Sequence, residues 1–428
     1  MHACICVRGE CTMPWYHGWN VVFAGLVFQA VSFGVALYCF TFFVEPWSSE
    51  FSVGRGEIMV IFFILQGAMG LLAPFAGRAM DRLPIRALVC GGAVSLALAL
   101  VLAARATALW QLMAIYGSFV VGGTLLAGPL AAQTLTARWF TRRRGFALGI
   151  STVGTSMGGF FLPPLVTWLQ AEYGWRDAND ILAVGVVLAI VPLSLLVIRN
   201  APRPEESVIE RHAAVASAGA HPGISPGSRA WTVKAVFGEP TFWFMVIAFS
   251  LFSLVNGGLQ QNLAPFGLDH GIDARDTAWV MSAMALLMAL WKVVIGALTD
   301  RVEVRWIFVF SVAAVLLAML LMSTSLTFVE FGMVGLLLGV ASAAHLPLLA
   351  AIVSRHFGTA SFGLVMGLIG PFSTLAAAGP WIAGEIRDTS GSYDAALLVF
   401  AALLIPALIS ILLLRLTPTQ KAAAPSSS

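Results

Sequence analysis

One lysine, Lys292, lies well inside a long apolar run, residues 277–298. A charged side chain at the centre of a membrane-spanning helix costs about 2.5–3.5 kcal/mol on insertion scales. A paired charge, a water-filled cleft or an anionic ligand has to offset that cost. The next carboxylate along the run, Asp300, is eight residues on, about 12 Å along a helix. A lysine stem covers roughly half of that, so snorkelling relieves the cost only in part. No Asp or Glu is expected at membrane depth in any apolar run, which leaves a bound anion as the natural counter-ion; a structural role is the competing reading. His345 lies mid-run, two residues before Pro347. Its imidazole suits substrate binding or proton relay, or a structural bond to a carbonyl freed near the proline. Ser253, Asn256 and Gln260 share one helical face by 3–4 spacing, and the Gly257-Gly258 pair beside them predicts a local break. Gln29 falls among Gly25, Ser32 and Ala36, Gln66 stands with Gly70 and Ala73, and Tyr38 is placed similarly. Polar groups of this kind line a cavity or bond a neighbouring helix. The candidate binding residues are therefore Lys292, His345, Gln29, Asn256, Gln260, Tyr38 and Gln66.

Other chemistries find no residues to carry them. The lysines are Lys234, Lys292 and Lys421, and none follows a glycine-rich loop, so there is no phosphate cradle for ATP hydrolysis. Intramembrane aspartyl proteolysis needs Asp pairs within spans, and haem ligation needs paired intramembrane histidines; neither pattern is present. No enzyme, cofactor or resident metal is expected. Cys4, Cys6 and Cys11 with His2 could form a metal-binding tail, but the regular pattern begins only at Pro14 and Trp15, which points to Met13 as the start. No cleavable signal peptide fits, because the first apolar run is too long and lacks a small-residue cleavage site.

The composition says where these residues must sit. The chain of 428 residues is 59% hydrophobic and 11% charged, with net charge +3 and mean hydropathy +0.89. A soluble chain carries about 25% charge, so a soluble enzyme, a disordered protein and a nucleic-acid binder are excluded. Twelve runs approach the roughly 20 apolar residues of a spanning helix: 19–44, 58–79, 87–104, 109–135, 146–169 and 181–198, then 242–266, 277–298, 306–325, 329–353, 362–386 and 395–416. None alternates with period two, so a barrel is excluded, and in lipid the runs must be helical. The expected fold is an all-α membrane protein with twelve transmembrane helices in two six-helix pseudo-repeats around a central cleft. Its expected parts are a tail 1–14, a bundle 15–199, a linker 200–238 rich in proline and small residues, a bundle 239–416 and a low-complexity tail 417–428. Of the 24 Lys and Arg, eighteen fall on the side of the termini and linker. Arg55, Arg105, Arg176, Arg275 and Arg387 fall on the other, and Lys292 lies within a span. This bias places both termini in the cytoplasm.

The chain also repeats itself. Gly77-Arg-Ala-Met-Asp81-Arg82 with Arg86 recurs as Gly296-Ala-Leu-Thr-Asp300-Arg301 with Arg305, at an offset of 219. Pro129 matches Pro347, Arg138-Trp-Phe140 matches Arg355-His-Phe357, Gly145 and Gly149 match Gly363 and Gly367, and Gly174 with Asp177 matches Gly391 with Asp394, at offsets of 217 or 218. Two parallel repeats about a midplane cleft form the architecture of a rocking transporter. The position matching Lys292 is near Ala73, so the charge belongs to one half only.

The Gly-x-x-x-Asp-Arg segment, present in both halves, resembles the signature loop of the major facilitator superfamily. Pro84 and Ile85 stand where the fuller pattern has Gly and Arg, and Arg86 is retained. The resemblance implies a conformational latch of Gly77, Asp81, Arg82, Arg86, Asp300 and Arg301, with Asp81 near the positive end of the eleventh helix. Within the superfamily the chain is similar to the bacterial oxalate and monocarboxylate porter branch, through Tyr16-His-Gly-Trp19, Arg143-Arg-Gly-Phe-Ala-Leu-Gly149 and Tyr173-Gly-Trp-Arg-Asp-Ala178. Where the monocarboxylate porters carry an acidic residue before the Gly-Trp pair, this chain has His17. Lys292 occupies the position where those porters carry an anion-binding arginine, four residues before the loop glycine. The resemblance implies a secondary transporter that moves a small carboxylate-type anion by alternating access, by coupling to a proton or ion or by exchange. It implies a monomer in a bacterial-type inner membrane, with lipid, substrate and coupling ion as its partners. Two alternatives stand beside it. One is a proton-coupled drug or multi-substrate efflux antiporter, of whose fifth-helix pattern Gly149, Gly158 and Pro163 match while Leu162, Val166 and Thr167 do not. The other is a non-transporting sensor on the same fold.

Overall fold

The computed structural model describes residues 17–140, 144–199, 231–299, 302–324, 327–358 and 361–414. Every regular element among them is helical. Twelve long helices result, because a backbone in lipid must satisfy its own hydrogen bonds. In the first half, α1 spans Gly18–Phe51, α2 Arg55–Arg82, α3 Ile85–Ala104 and α4 Leu109–Trp139. Helices α5 (144–173) and α6 (175–197) run on from one another and part at Gly174, whose φ is +79°. In the second half, α7 is Pro240–Gln261, α8 Ala274–Leu298, α9 Val304–Met322 and α10 Phe328–His356. Helix α11 comprises Phe362–Ser373 and Ala378–Ser390 joined by a 3-10 turn, and α12 is Asp394–Leu413.

Several boundaries depart from the sequence expectation. Helix α1 does not stop at residue 44. A π-helical turn at Gly34–Tyr38 and a 3-10 turn at Phe40–Phe43 carry it to Phe51. Burial explains the extension: Trp47 stacks on Phe43 and meets Phe40 and Tyr116 edge-on, in an aromatic cluster that leaves it no exposed surface. The break expected at Gly257-Gly258 is absent, and α7 passes through it to end at Gln261. Gly258 serves packing instead, since a Cβ there would lie 2.5 Å from the Phe400 ring. Of the linker, 231–238 is described and holds a short helix, Val233–Phe237. Trp231 docks by its backbone N–H on Ser361 Oγ, 2.8 Å away, and by its ring on Phe357.

The two halves repeat in three dimensions. Gly391 closes the α11–α12 junction with φ +82°, as Gly174 closes α5–α6. Arg138, at the end of α4, donates to the Met80 carbonyl at the end of α2, at 2.8 Å. Its repeat counterpart Arg355 donates to the Thr299 carbonyl just beyond α8. Each arginine thus satisfies a helix-end carbonyl that the helix cannot. The start of α1 at Gly18 and the end of α12 at Leu413 define a terminal face, and the α1–α2 and α11–α12 turns lie at the opposite, distal face.

Candidate functional site

The bundles meet along two seams related by the repeat, α5 against α8 and α2 against α11. On the first seam Ser282, Ala285, Met288 and Lys292 follow one another at helical spacing down one face of α8. The Ser282 hydroxyl donates to the Phe160 carbonyl at 2.7 Å. Gly159 lets the bundles close, because a Cβ there would lie 2.8 Å from the Tyr38 ring and 2.9 Å from the Ala285 methyl. Tyr38 Oη stands 4.0 Å from Met288 Sδ. One turn further toward the terminal face, Lys292 Nζ donates to Ser156 Oγ across the seam, at 3.1 Å. Lys292 is half-buried and Ser156 fully buried. No carboxylate lies within ion-pair distance of Lys292 among the described residues, so its charge meets a neutral hydroxyl. Ser156 was not legible in the sequence, where it is one serine in a glycine-rich helix; its place opposite Lys292 follows only from the packing of α5 on α8.

The polar residues of α7 face α10. Asn256 Nδ2 donates to Ser342 Oγ at 2.6 Å, Gln260 Nε2 donates to Asn256 Oδ1 at 3.2 Å and also reaches Ser342, and Ser342 donates to the Leu338 carbonyl at 2.7 Å. His345 shares a hydrogen bond of 3.1 Å with Ser253, between the rings of Phe249 and Phe252. Ser253, Gln260, Ser342 and His345 are each half-buried. Ser342 and Ser253 thus join the candidates as the groups that hold the amides and the imidazole.

Two of the first-half candidates sit elsewhere. Gln29 is fully buried within its own bundle, where Nε2 donates to Ser151 O at 2.7 Å and Ser151 Oγ at 2.8 Å. Its Oε1 has no partner among the described residues. Gln66 is half-buried on α2 and makes no side-chain hydrogen bond among the described residues. Of the latch residues, Gly77 lies on α2 with open space for 4 Å around the point a Cβ would occupy, and Arg82 and Arg86 are exposed. Asp300, Arg301 and the side chain of Asp81 lie outside the described residues.

At the distal face, charge is concentrated and paired. Arg55 at the start of α2 binds Asp269 through both guanidinium nitrogens, at 2.8 and 2.9 Å. Arg105 pairs with Asp180, Arg176 with Glu50 and Arg387 with Asp269. Four of the five basic residues expected on that face therefore hold a carboxylate. Around Asp269, burial raises the carboxyl pKa, but hydrogen bonds from Arg55 and Arg387 outweigh it and hold it below the usual carboxylate range. A lowered carboxylate pKa gives stability that is present above the unpaired value and lost as pH falls through the paired one. The distal contact is therefore expected to be unchanged between about pH 5 and pH 8. Distances measured across that face in liposomes check this, and a distal opening within that range would refute it.

Comparison with known proteins agrees with this architecture. The model of the Major Facilitator Superfamily matches residues 26–378 and 263–428. The chain is 26% identical over 402 residues to monocarboxylate transporter 12 of Rattus norvegicus, covering 89% of this chain and 82% of that protein. It is also 26% identical over 370 residues to an uncharacterised MFS-type transporter of Bacillus subtilis, covering 82% and 83%. Among solved structures, a bacterial homologue of the human lysosomal transporter Spinster superposes with a TM-score of 0.66 at 16% identity, covering 94% of this chain and 95% of that one.

Proposed function

The chain belongs to the major facilitator superfamily, a multi-pass membrane transporter and not an enzyme, and on that premise we propose that its cargo is a small organic anion of the carboxylate class. The observation that carries the proposal is the Lys292 ammonium, held at the seam between the bundles with a neutral hydroxyl as partner. A buried cation without a counter-ion is costly, and a carboxylate arriving in the cleft removes that cost. Lys292 would bind the carboxylate, Ser156 would present the first bundle's half of the site, and the Asn256–Ser342–Gln260 group would orient the remainder. The similarity to monocarboxylate transporter 12 supports the same class.

Transport would proceed by alternating access, with the repeated seams opening in turn. The distal face would be the external one, which places the arginine-rich terminal face and both termini in the cytoplasm. A bacterial-type inner membrane and a monomeric state complete this reading. Purified protein in liposomes, tested with radiolabelled short mono- and dicarboxylates, is expected to accumulate or exchange at least one. Failure with every carboxylate but transport of an organic cation would overturn the cargo class.

His345 is the imidazole that lies beside the amide group, and it would supply the proton step of coupled uptake. In His345→Gln the dependence of uptake on pH is expected to flatten. A pH profile that stays in place removes the proton role.

A further inference from the structure

Helices α2 and α11 cross at the distal face through backbone contact. A Cβ on Gly56 would lie 2.9 Å from the Glu385 backbone, and one on Gly384 would lie 3.0 Å from Gly56 Cα. The Gly56 N–H donates to Asp388 Oδ2 at 2.6 Å, fastening the crossing. Beside it, four charged groups alternate in sign across the seam. Glu45 and Arg55 belong to the first bundle and bond at 3.2 Å. Asp269 and Arg387 belong to the second and bond at 2.9 Å. The bidentate Arg55–Asp269 pair joins the two. Arg55 is almost wholly buried, with further bonds to the Pro265 carbonyl at 3.4 Å and Tyr393 Oη at 3.5 Å. A cavity of about 300 Å³ opens alongside, lined by Phe266, His270 and Tyr393, and gives the Asp269–Arg387 pair access to water.

We propose that Asp269 is the shared carboxylate of a distal gate, in which Arg55 holds the bundles together while Glu45 and Arg387 serve as reserve partners that each bundle keeps when the gate opens. Separating the bundles breaks Arg55–Asp269 and the Gly56–Asp388 bond. It leaves Arg55 on Glu45 and Asp269 on Arg387, so neither charge is stranded. Stranding a partly buried charge is the costly outcome in breaking an ion pair, and this arrangement avoids it on both sides. The gate thus closes strongly and still opens, whatever the cargo, so it does not depend on the anion reading.

The two arginines then act in opposite directions. Arg55→Gln removes the contact across the seam and favours the open distal face. Arg387→Gln removes the partner that Asp269 retains on opening, and favours the closed one. A hydrogen bond to a charged group is strong enough for each change to move the open-to-closed ratio about tenfold.

The test uses the full chain in lipid nanodiscs, with spin labels at Ser52 on the first bundle and Thr389 on the second, in a background without native cysteines. Pulsed electron resonance reads the distance distribution. Arg55→Gln is expected to add a longer-distance population, Arg387→Gln to deplete it relative to the parent, and Arg55→Lys to fall between parent and Arg55→Gln. Thermal unfolding of each variant shows that it is folded. Shifts in the same direction for the two Gln variants, or no shift in either folded variant, would overturn the gate. Absence of carboxylate transport by the parent protein, with the distances in the variants shifting as expected, would refute the cargo class instead and leave the gate standing.

Discussion

Replacing Lys292 by Gln is expected to reduce carboxylate transport at least about a hundredfold while leaving expression and unfolding temperature near those of the parent. Removing one partner of a buried ion pair costs about 3–5 kcal/mol, and each step of about 1.4 kcal/mol is tenfold. The partner of Lys292 is Ser156 Oγ at 3.1 Å, a neutral group, so on replacement the fold loses one hydrogen bond and gains relief from a desolvated charge. The two effects oppose each other in stability but not in anion binding, where the charge has no substitute. Lys292→Arg keeps the charge with a different reach and is expected to recover part of the rate. Ser156→Ala leaves the charge and removes its positioning, and should raise KM more than it lowers kcat. Initial rates in proteoliposomes measure all three. Undiminished uptake by Lys292→Gln would take away the basis of the cargo assignment.

Gly56→Leu should be as damaging for a different reason. The glycine has no space beside it, because a Cβ would approach the Glu385 Cα and N to 2.9 Å. Both of those atoms are backbone, so no rotamer change makes room. A leucine must push α11 away from α2, and the distal face then cannot close. Transport should fall to the level of empty liposomes, while binding of a carboxylate from the distal side persists and the protein stays folded. Gly384→Leu should reproduce the effect from the other helix. Normal transport in either would mean that the crossing has no part in the cycle.

The fold was legible because lipid leaves the backbone few choices. Twelve apolar runs predicted twelve helices, and the Gly-x-x-x-Asp-Arg repeat predicted the duplication. What misled was local. The Gly257-Gly258 pair reads as a break on propensity, yet Phe400 fills the space that a side chain would occupy, and the helix continues. The end of α1 was underestimated because Glu45, Ser48 and Ser49 lower the hydropathy, while Trp47 beneath them is fully buried.

The site was legible only in part. Lys292 declares itself by charge in an apolar run, but nothing in a single sequence pairs it with Ser156, 136 residues away. Arg55 and Arg387 read as ordinary loop charges marking one face, and Asp269 has no sequence signal of its own. Their network depends on three turns that the sequence separates by more than a hundred residues and the bundle crossing brings together.

Gly174 and Gly391 carry one further consequence. Each takes a positive φ, +79° and +82°, which a residue with a side chain adopts only under strain, while ψ differs, 166° at Gly174 and −9° at Gly391. Away from these turns the two repeats differ, with Lys292 in one and Ala73 at the matching position of the other. What the two halves share at these positions is therefore the glycine that lets each pair of helices turn back, while the charge at the seam belongs to one half alone: the turn answers to a backbone need that both halves have, and the cation to a position that only one of them fills.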